Sequence, residues 1–281
     1  MTSPITSAVG SSLALPREMN EPSLAVRLKL VVERAAPLLL CAAIVILWEA
    51  GCRFFEVPTF LLPAPSTIIR AAGEQEATTW LSHIWSTIRV AVIGYFVAIG
   101  ISIPLAIMLA SSKLLARTLY PIIVVIHATP IVAVAPIIVV ALGTSDIPRI
   151  AITFLITFFP IVVSTTTGLL ATPEEMIELS RSLRAGRARE MFHIRLPYAV
   201  PYIFSALKIS ITLAFVGAVV AEFVAAEHGL GYFIQFATSF FKIAQAFVAL
   251  IFLVTISLIA FQIVTLLQKI LAPWSLPKSE R

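Results

Sequence analysis

Few side chains in this sequence have the types and spacing that catalysis would need. The chain has four scattered histidines and two cysteines, Cys41 and Cys52, which lie eleven residues apart on one predicted helix. That separation corresponds to about 16 Å along a helix axis, which is too far for a disulfide. No cysteines and histidines have metal-ligand spacing, and no G-x-x-x-x-G-K-[ST] loop is present to hold ATP phosphates. We therefore predict neither a metal site nor ATP binding in this chain.

Polar residues inside apolar stretches are the other candidates, because they could line a path for a solute. His127, Thr129 and Pro130 interrupt one such stretch. A helix broken at proline exposes backbone that a pathway can use, whereas the alternative is a buried histidine with a single partner. Glu222 lies near one end of another apolar stretch and must face protein or water, since a carboxylate facing lipid is costly. We expect it to be either a gate or pathway residue or a structural hydrogen-bond acceptor.

The longest polar segment between apolar stretches, residues 172–198, is predicted to be helical. Thr172 to Glu175 has the order of a capped helix start, with threonine at the N-cap, proline at N1 and glutamate at N3. Glu178 and Arg181 have i, i+3 spacing and could form an ion pair, and Gly186 interrupts the helix. Three apolar residues recur on one face: Met176, Leu179 and Leu183.

A second helical piece is predicted over residues 187–195, ahead of Pro197. Two functions fit this helix-turn-helix. Its arginines could contact anionic lipid headgroups as part of an interfacial helix. Alternatively, its apolar face could dock into a groove of a soluble partner while its charges fix the register. Composition alone does not separate the two.

The whole chain is too apolar for a soluble globular protein. Of its 281 residues, 59% are hydrophobic and 12% are charged, and the mean hydropathy is +0.99. Soluble proteins carry about 25% charged residues, so the excess of apolar side chains here must face lipid. The net charge of +5 then reflects loop asymmetry rather than binding of nucleic acid.

Charge-free intervals predict six membrane-spanning helices, because about 20 apolar residues cross the hydrocarbon. Two spans are predicted over residues 35–55, which contain Glu49, and over residues 199–224. The other four are intervals of 23, 28, 24 and 26 residues between charged residues: Arg89 to Lys113, Arg117 to Asp146, Arg149 to Glu174 and Lys242 to Lys269. The sequence therefore predicts an all-α polytopic membrane protein, and the roles of Glu49 and Glu227 stay open.

Six spans place both chain ends on one side, and the excess of Lys and Arg in the loops of that side makes it cytoplasmic. The first 20 residues are rich in Ser, Thr, Pro and Gly and do not have the pattern of a signal peptide. We predict a disordered cytoplasmic tail over residues 1–30, a transmembrane permease domain over 31–272 and a second cytoplasmic tail over 273–281.

The segment that begins at Glu178 resembles the EAA loop of ABC importer permeases. That motif reads Glu-Ala-Ala, three residues, Gly, nine residues, Ile, one residue, Leu-Pro. Leu179 and Ser180 replace the two alanines, and Arg184 stands where the motif glycine belongs, so Gly186 is expected to supply the turn. The register matches at four positions: Glu178, Ile194, Leu196 and Pro197.

Other segments resemble the nitrate/sulfonate/taurine branch of these permeases, which also includes importers of thiamine-pyrimidine and riboflavin type. The resemblance covers roughly residues 60–272. It rests on these segments: Leu62-Pro63-Ala64-Pro65-Ser66, His127-Ala128-Thr129-Pro130, Phe158-Phe159-Pro160, Leu196-Pro197-Tyr198, and Ala221-Glu222 with Gly229-Leu230-Gly231-Tyr232.

The resemblance implies the transmembrane domain of a type I ABC importer, in a bacterial-type inner membrane. Its implied partners are a cytoplasmic ATPase dimer that holds ATP and Mg²⁺, a second permease copy and an extracytoplasmic solute-binding protein. This chain would then be neither an enzyme nor the carrier of a cofactor. The implied ATPase-coupling residues are Glu178, Leu179, Ser180, Leu183, Arg184, Gly186, Ile194, Leu196 and Pro197. The implied pathway residues are His127, Thr129, Pro130 and Glu222.

Two other classes of protein fit the sequence less well. A secondary transporter driven by an ion gradient would need no docking loop and usually has paired halves or mid-span charges, and neither is evident. An integral membrane enzyme would need a cluster of nucleophile, base or metal ligands near the interface, which the sparse histidines and acids do not provide.

Overall fold

The computed structural model describes residues 24–143 and 145–276, with side chains from residue 36 onward. Eleven α-helices account for most of the described residues, and no strand occurs among them. In chain order the helices are α1 (Leu24–Phe54), α2 (Pro65–Ala72), α3 (Ala77–Ser111), α4 (Lys113–Ala128), α5 (Ile131–Leu142), α6 (Asp146–Leu170), α7 (Glu174–Ser182), α8 (Arg187–Glu190), α9 (Leu196–Ala225), α10 (Leu230–Ser239) and α11 (Ile243–Leu271). A π turn (Met191–Arg195) joins α8 to α9, and a 3₁₀ turn (Pro273–Ser275) follows α11.

Five helical segments among the described residues are long and apolar enough to cross a membrane: Ala36–Phe54, Ala77–Ser111, Asp146–Leu170, Arg187–Ala225 and Ile243–Leu271. Helices α4 and α5 pass the same test only as a pair, and they meet at an angle of 95°. If the pair counts as one span, the described chain has six, which confirms the predicted number. The sequence interval from Arg117 to Asp146 is a broken span, in agreement with the interpretation that the helix breaks at Pro130.

The break between α4 and α5 has a local cause. Thr129 adopts an extended backbone conformation, with φ −73° and ψ 125°. A residue before proline is driven out of the helical region by the proline ring, and Pro130 itself has no N–H to donate to α4. The dipeptide therefore ends one helix, and α5 starts at the next residue.

The chain divides into two units, residues 1–51 and 52–281. Residues 1–23 lie outside the described part, so most of the predicted N-terminal tail is not observed. Helix α1 already begins at Leu24, inside the tail that was predicted to extend to residue 30. At the other end, the predicted tail starts as the ordered 3₁₀ turn, and Gln268 of α11 donates a hydrogen bond to Ser275 Oγ over 2.9 Å.

Helices α3, α6 and α9 form the core of the second unit. Thr153 of α6 lies between two glycines, Gly94 of α3 and Gly217 of α9. A Cβ on Gly94 would lie 2.6 Å from Thr153 Cβ, and a Cβ on Gly217 would lie 2.9 Å from Thr153 Cα. Membrane helices associate through such close packing of small residues, because lipid supplies no hydrophobic drive between them.

Hydrogen bonds and ion pairs between helices add to this packing. Tyr95 Oη donates to the carbonyl of Leu207 over 3.0 Å, which connects α3 to α9. Ser102 Oγ donates to the carbonyl of Phe158 over 3.2 Å, which connects α3 to α6. Near the start of α6, Asp146 forms ion pairs with both Arg89 of α3 and Arg149 of its own helix.

Replacing Gly94 with valine should destabilise the bundle by about 1–3 kcal/mol, the usual cost of overpacking. Gly100→Val is the matched control on the same helix, because no atom lies within 4 Å of a Cβ at that position. The measurement is the free energy of unfolding in detergent. Equal losses in the two variants would mean that the contact with Thr153 does not hold α3 and α6 together.

Candidate functional site

The break between α4 and α5 opens a cavity of about 500 Å³ on the side of α6 and α9. Three predicted pathway residues, His127, Thr129 and Pro130, line it together. The other lining residues are Ile126, Ala128, Ile131, Val134, Leu155, Ile156 and Leu213. The structure thus places these three residues at one cavity, which has the volume typical of small-molecule sites.

Two contacts fix the polar side chains of this cavity. The imidazole of His127 stacks on the ring of Phe159, with ring centroids 3.8 Å apart and an interplanar angle of 3°. Thr129 Oγ1 donates a hydrogen bond to the carbonyl of Val125 over 3.0 Å, and its N–H donates to the carbonyl of Ile126 over 3.3 Å. Thr129 therefore satisfies two carbonyls at the end of α4.

Glu222, the fourth predicted pathway residue, does not line this cavity. Its side chain lies near the end of α9, and the residue is 1% exposed. Oε1 accepts a hydrogen bond from Thr87 Oγ1 over 2.8 Å, and Oε2 accepts one from the N–H of Gly231 over 2.7 Å. Thr87 Oγ1 in turn accepts a hydrogen bond from the N–H of Leu230 over 2.8 Å. The carboxylate thus joins α9 to α3 and to the first turn of α10.

Glycines leave the space that this carboxylate occupies. Gly229 has φ +132°, and a Cβ there would overlap the carboxyl group of Glu222. A Cβ on Gly231 would lie 2.9 Å from Glu222 Oε2. The N–H of Gly229 donates to His83 Nδ1 over 3.0 Å. A sharp turn at Gly229 thus precedes α10, and the two glycines make room for Glu222.

Among the described residues, this network supports the structural alternative for Glu222. Sequence reasoning missed Thr87, the partner of Glu222 on α3, and His83, the partner of Gly229. Their contacts join residues more than 130 positions apart, and no short motif marks such pairs. The assignment of Glu222 to the pathway itself stays a prediction.

Replacing Glu222 with alanine should destabilise the fold by about 2 kcal/mol or more, because the Thr87 hydroxyl and the Gly231 N–H lose their buried acceptor. Glu222→Gln keeps one acceptor oxygen and should cost less. The free energy of unfolding and the uptake rate should be measured together. Wild-type stability with reduced uptake in Glu222→Ala would assign the residue to the pathway instead.

The second candidate surface is the loop between α6 and α9. Helix α7 buries Ile177 and Ser180 against the rest of the protein and exposes the opposite face. The three apolar residues predicted to share a face lie on that exposed side: Met176, Leu179 and Leu183 are 44%, 63% and 75% exposed. Glu178 is exposed beside them. The described chain thus presents an apolar stripe with an adjacent carboxylate, which suits a docking surface.

Two local predictions for this loop are wrong. Thr172 does not cap α7, because Pro173 occupies the N-cap position and Thr172 Oγ1 donates to the carbonyl of Leu169 over 3.2 Å instead. Arg181 pairs with Glu190 rather than with Glu178, at a distance of 3.4 Å. Both side chains have their partners outside α7, on Leu169 of α6 and Glu190 of α8.

The turn after α7 is made by Arg184 and not by Gly186. Arg184 has φ +55°, in the left-handed region, whereas Gly186 has φ −70° and ψ 159°. The N–H of Arg184 donates to the carbonyl of Arg181 over 2.9 Å. Arg184 stands at the position of the glycine in the motif that this segment resembles. A residue with a Cβ is strained in this conformation.

Glu190 anchors the second half of the loop. This carboxylate is 7% exposed, and Oε1 accepts hydrogen bonds from Arg195 Nη2 over 2.7 Å and Nε over 2.9 Å. Arg195 also donates to the carbonyl of Leu169 over 3.5 Å. With the contact to Arg181, the carboxylate of Glu190 connects α7 to the π turn, and Arg195 extends this connection to the end of α6.

The remaining motif residues lie where the loop enters α9. Ile194 lies in the π turn, and Leu196 and Pro197 begin α9. Leu196 packs against a buried cluster that includes Leu169 and Met191. In the π turn the N–H of Leu196 donates to the carbonyl of Met191, five residues back, so the helix continues past Pro197 without a break.

Arg184→Gly should stabilise the loop by about 1 kcal/mol, because glycine adopts φ +55° without strain. The measurement is the unfolding free energy, together with pull-down of a cytoplasmic ATPase. Arg189→Gly is the control, since glycine in the short α8 should be destabilising. Loss of the ATPase in both Arg184→Gly and Arg184→Ala would show that the arginine side chain contacts the partner.

These features define a polytopic membrane transport subunit. The sequence profile of a family described as "Binding-protein-dependent transport system inner membrane component" matches residues 102–275. That match covers more than half of the chain, and the chain belongs to this family, the permease subunits of ABC importers. In this family the ATPase is a separate subunit.

Relatives place the chain in the branch predicted from its motifs. It is 30% identical over 238 residues to the formylaminopyrimidine transport permease protein ThiX of Halalkalibacterium halodurans, covering 85% of this chain and 95% of ThiX. It is 32% identical over 232 residues to the riboflavin transport system permease protein RibX of Chloroflexus aurantiacus, covering 82% and 87%. The permease of the inward-facing MetNI methionine ABC transporter shares the fold, with a TM-score of 0.56 and 23% identity over 68% of this chain and 98% of that chain.

Proposed function

We propose that helix α7 is the docking element for the cytoplasmic ATPase of this importer. The exposed stripe of Met176, Leu179 and Leu183 beside Glu178 carries the proposal. Such a stripe is costly in water, and covering it with the groove of a partner removes that cost. ATP and Mg²⁺ bind the ATPase dimer, and this chain contributes no catalytic residue.

Glu190 transmits movement from α7 to the membrane. Its carboxylate contacts Arg181 of α7, which links α8 to α7, and it contacts Arg195 in the π turn before α9. Because α8, the π turn and α9 form one continuous helical segment, Arg187–Ala225, a displacement of the loop moves the core helix directly. Closure of the ATPase on ATP would thereby rock α9 and its neighbour α6.

Two copies of the chain form the translocation pathway, with the cavity at the α4–α5 break of each copy as part of it. The basic loop over 172–198 then lies in the cytoplasm, together with both chain ends, as the positive-inside rule requires. A solute-binding protein delivers the substrate on the opposite side of the membrane. A homodimer is the simplest assembly in which one permease gene serves both halves.

Charge reversal at Glu178, as Glu178→Arg, should weaken association with the ATPase about tenfold or more, because a carboxylate at the centre of an interface is replaced by the opposite charge. Glu227→Arg is the matched control, since Glu227 lies beyond the other end of α9. The measurement is co-purification of the two subunits in mild detergent. Wild-type association of Glu178→Arg would contradict the docking role of α7.

A further inference from the structure

The cavity at the α4–α5 break contains no fixed charge. None of its ten lining residues is Asp, Glu, Lys or Arg, and only His127 and Thr129 have polar side chains. An anion enclosed by apolar groups loses its hydration without gaining a counter-charge, which is strongly unfavourable. An uncharged, largely apolar solute meets no such penalty there.

The imidazole of His127 lines this cavity and supplies a flat surface there, and the ring of Phe159 stacks on it from outside the lining. The two rings are parallel and in contact, so Phe159 covers one face of the imidazole and holds its plane fixed. A fixed aromatic plane favours a flat solute ring by stacking, and it does so without selecting a particular ring. Nitrate and small sulfonates have no such ring to stack.

The broken backbone adds both hydrogen-bond donors and acceptors. The end of α4 leaves carbonyls without helical partners, and Thr129 satisfies those of Val125 and Ile126. The start of α5 leaves N–H groups, among which that of Ala133 donates to the carbonyl of Pro130 over 2.9 Å. The hydrogen-bonding groups at the break are uncharged donors and acceptors, which suit a heterocycle that both donates and accepts, whereas an anion would use donors alone.

We propose that this cavity binds an uncharged, flat nitrogen heterocycle during its passage, and not an inorganic anion or a sulfonate. The proposal rests on the proposed function, because it assigns a substrate class to the same pathway. The branch contains importers of both classes, so membership of the branch does not choose between them. The uncharged lining of the cavity and the imidazole of His127, fixed against Phe159, favour the heterocycle.

The test uses the complete complex of permease, ATPase and binding protein in proteoliposomes. A metabolite extract of bacterial cells, supplemented with an aminopyrimidine, riboflavin, nitrate and taurine, is supplied outside. Compounds imported only in the presence of ATP are identified by mass spectrometry and ion chromatography. We expect an uncharged heterocycle. Import of an anion, or of no ring compound by a complex that hydrolyses ATP, overturns the substrate class.

Variants then connect the substrate to the cavity. His127→Ala should raise the KM for uptake about tenfold, the size of one lost ring stack. His127→Phe keeps a ring at this position and should raise it less. Phe159→Leu should also raise the KM, whereas Phe154→Leu on the same helix should not, because Phe154 packs on Phe158. An unchanged KM in both His127→Ala and Phe159→Leu would overturn the assignment of the cavity.

The same preparation separates this inference from the proposed function. A permease that does not assemble with its ATPase contradicts the docking role of α7 and removes the basis of both. An assembled, hydrolysing complex that imports an anion overturns the substrate class alone.

Discussion

The contact of Thr153 with Gly94 and Gly217 is the constraint on which the rest of the structure depends. It brings α6 within backbone distance of α3 and α9 at the same level of the bundle. Helix α6 lines the cavity with Leu155 and Ile156, and the loop that carries α7 starts where α6 ends. Because lipid does not drive helices together, small residues at this crossing determine where both functional regions lie.

Most of the transmembrane architecture could be predicted from the sequence, because a helix that crosses the hydrocarbon must have a long interval without charged residues. The exception is instructive. The interval from Arg117 to Asp146 is long and apolar, but Thr129 and Pro130 divide it into α4 and α5. Hydropathy measures the free energy of transfer into lipid. It does not report the direction in which a helix runs after a break. Pro130 is evident in the sequence, but the angle of 95° between α4 and α5 depends on packing around the break.

The polar contacts were harder to predict for a different reason. Glu222 has partners on α3 and α10, and Glu190 has partners on α7 and in the π turn. The partner of Glu222 on α3, Thr87, is 135 positions away in sequence. Patterns in sequence report neighbours on one helix, so Arg181 was paired with Glu178 at i, i+3 and Thr172 was placed as a cap. The Arg184 turn shows the same limit. Residue type favoured Gly186, but the hydrogen bonds that close α7 impose the left-handed conformation on Arg184.

The length of α9 and of the helical turns before it matters beyond the cavity and the α7 loop. The uninterrupted segment Arg187–Ala225 contains 39 residues, and at about 1.5 Å per residue it is nearly twice as long as the hydrocarbon is thick. At its first end Glu190 pairs with Arg181 of α7 and Arg195 donates to the carbonyl of Leu169 at the end of α6, and at the other end Glu222 accepts a hydrogen bond from α10. A helical segment that is held by polar contacts at both ends transmits displacement in both directions. A displacement of α10 would therefore reach α7 through the same helical segment that transmits a displacement of α7 to α10.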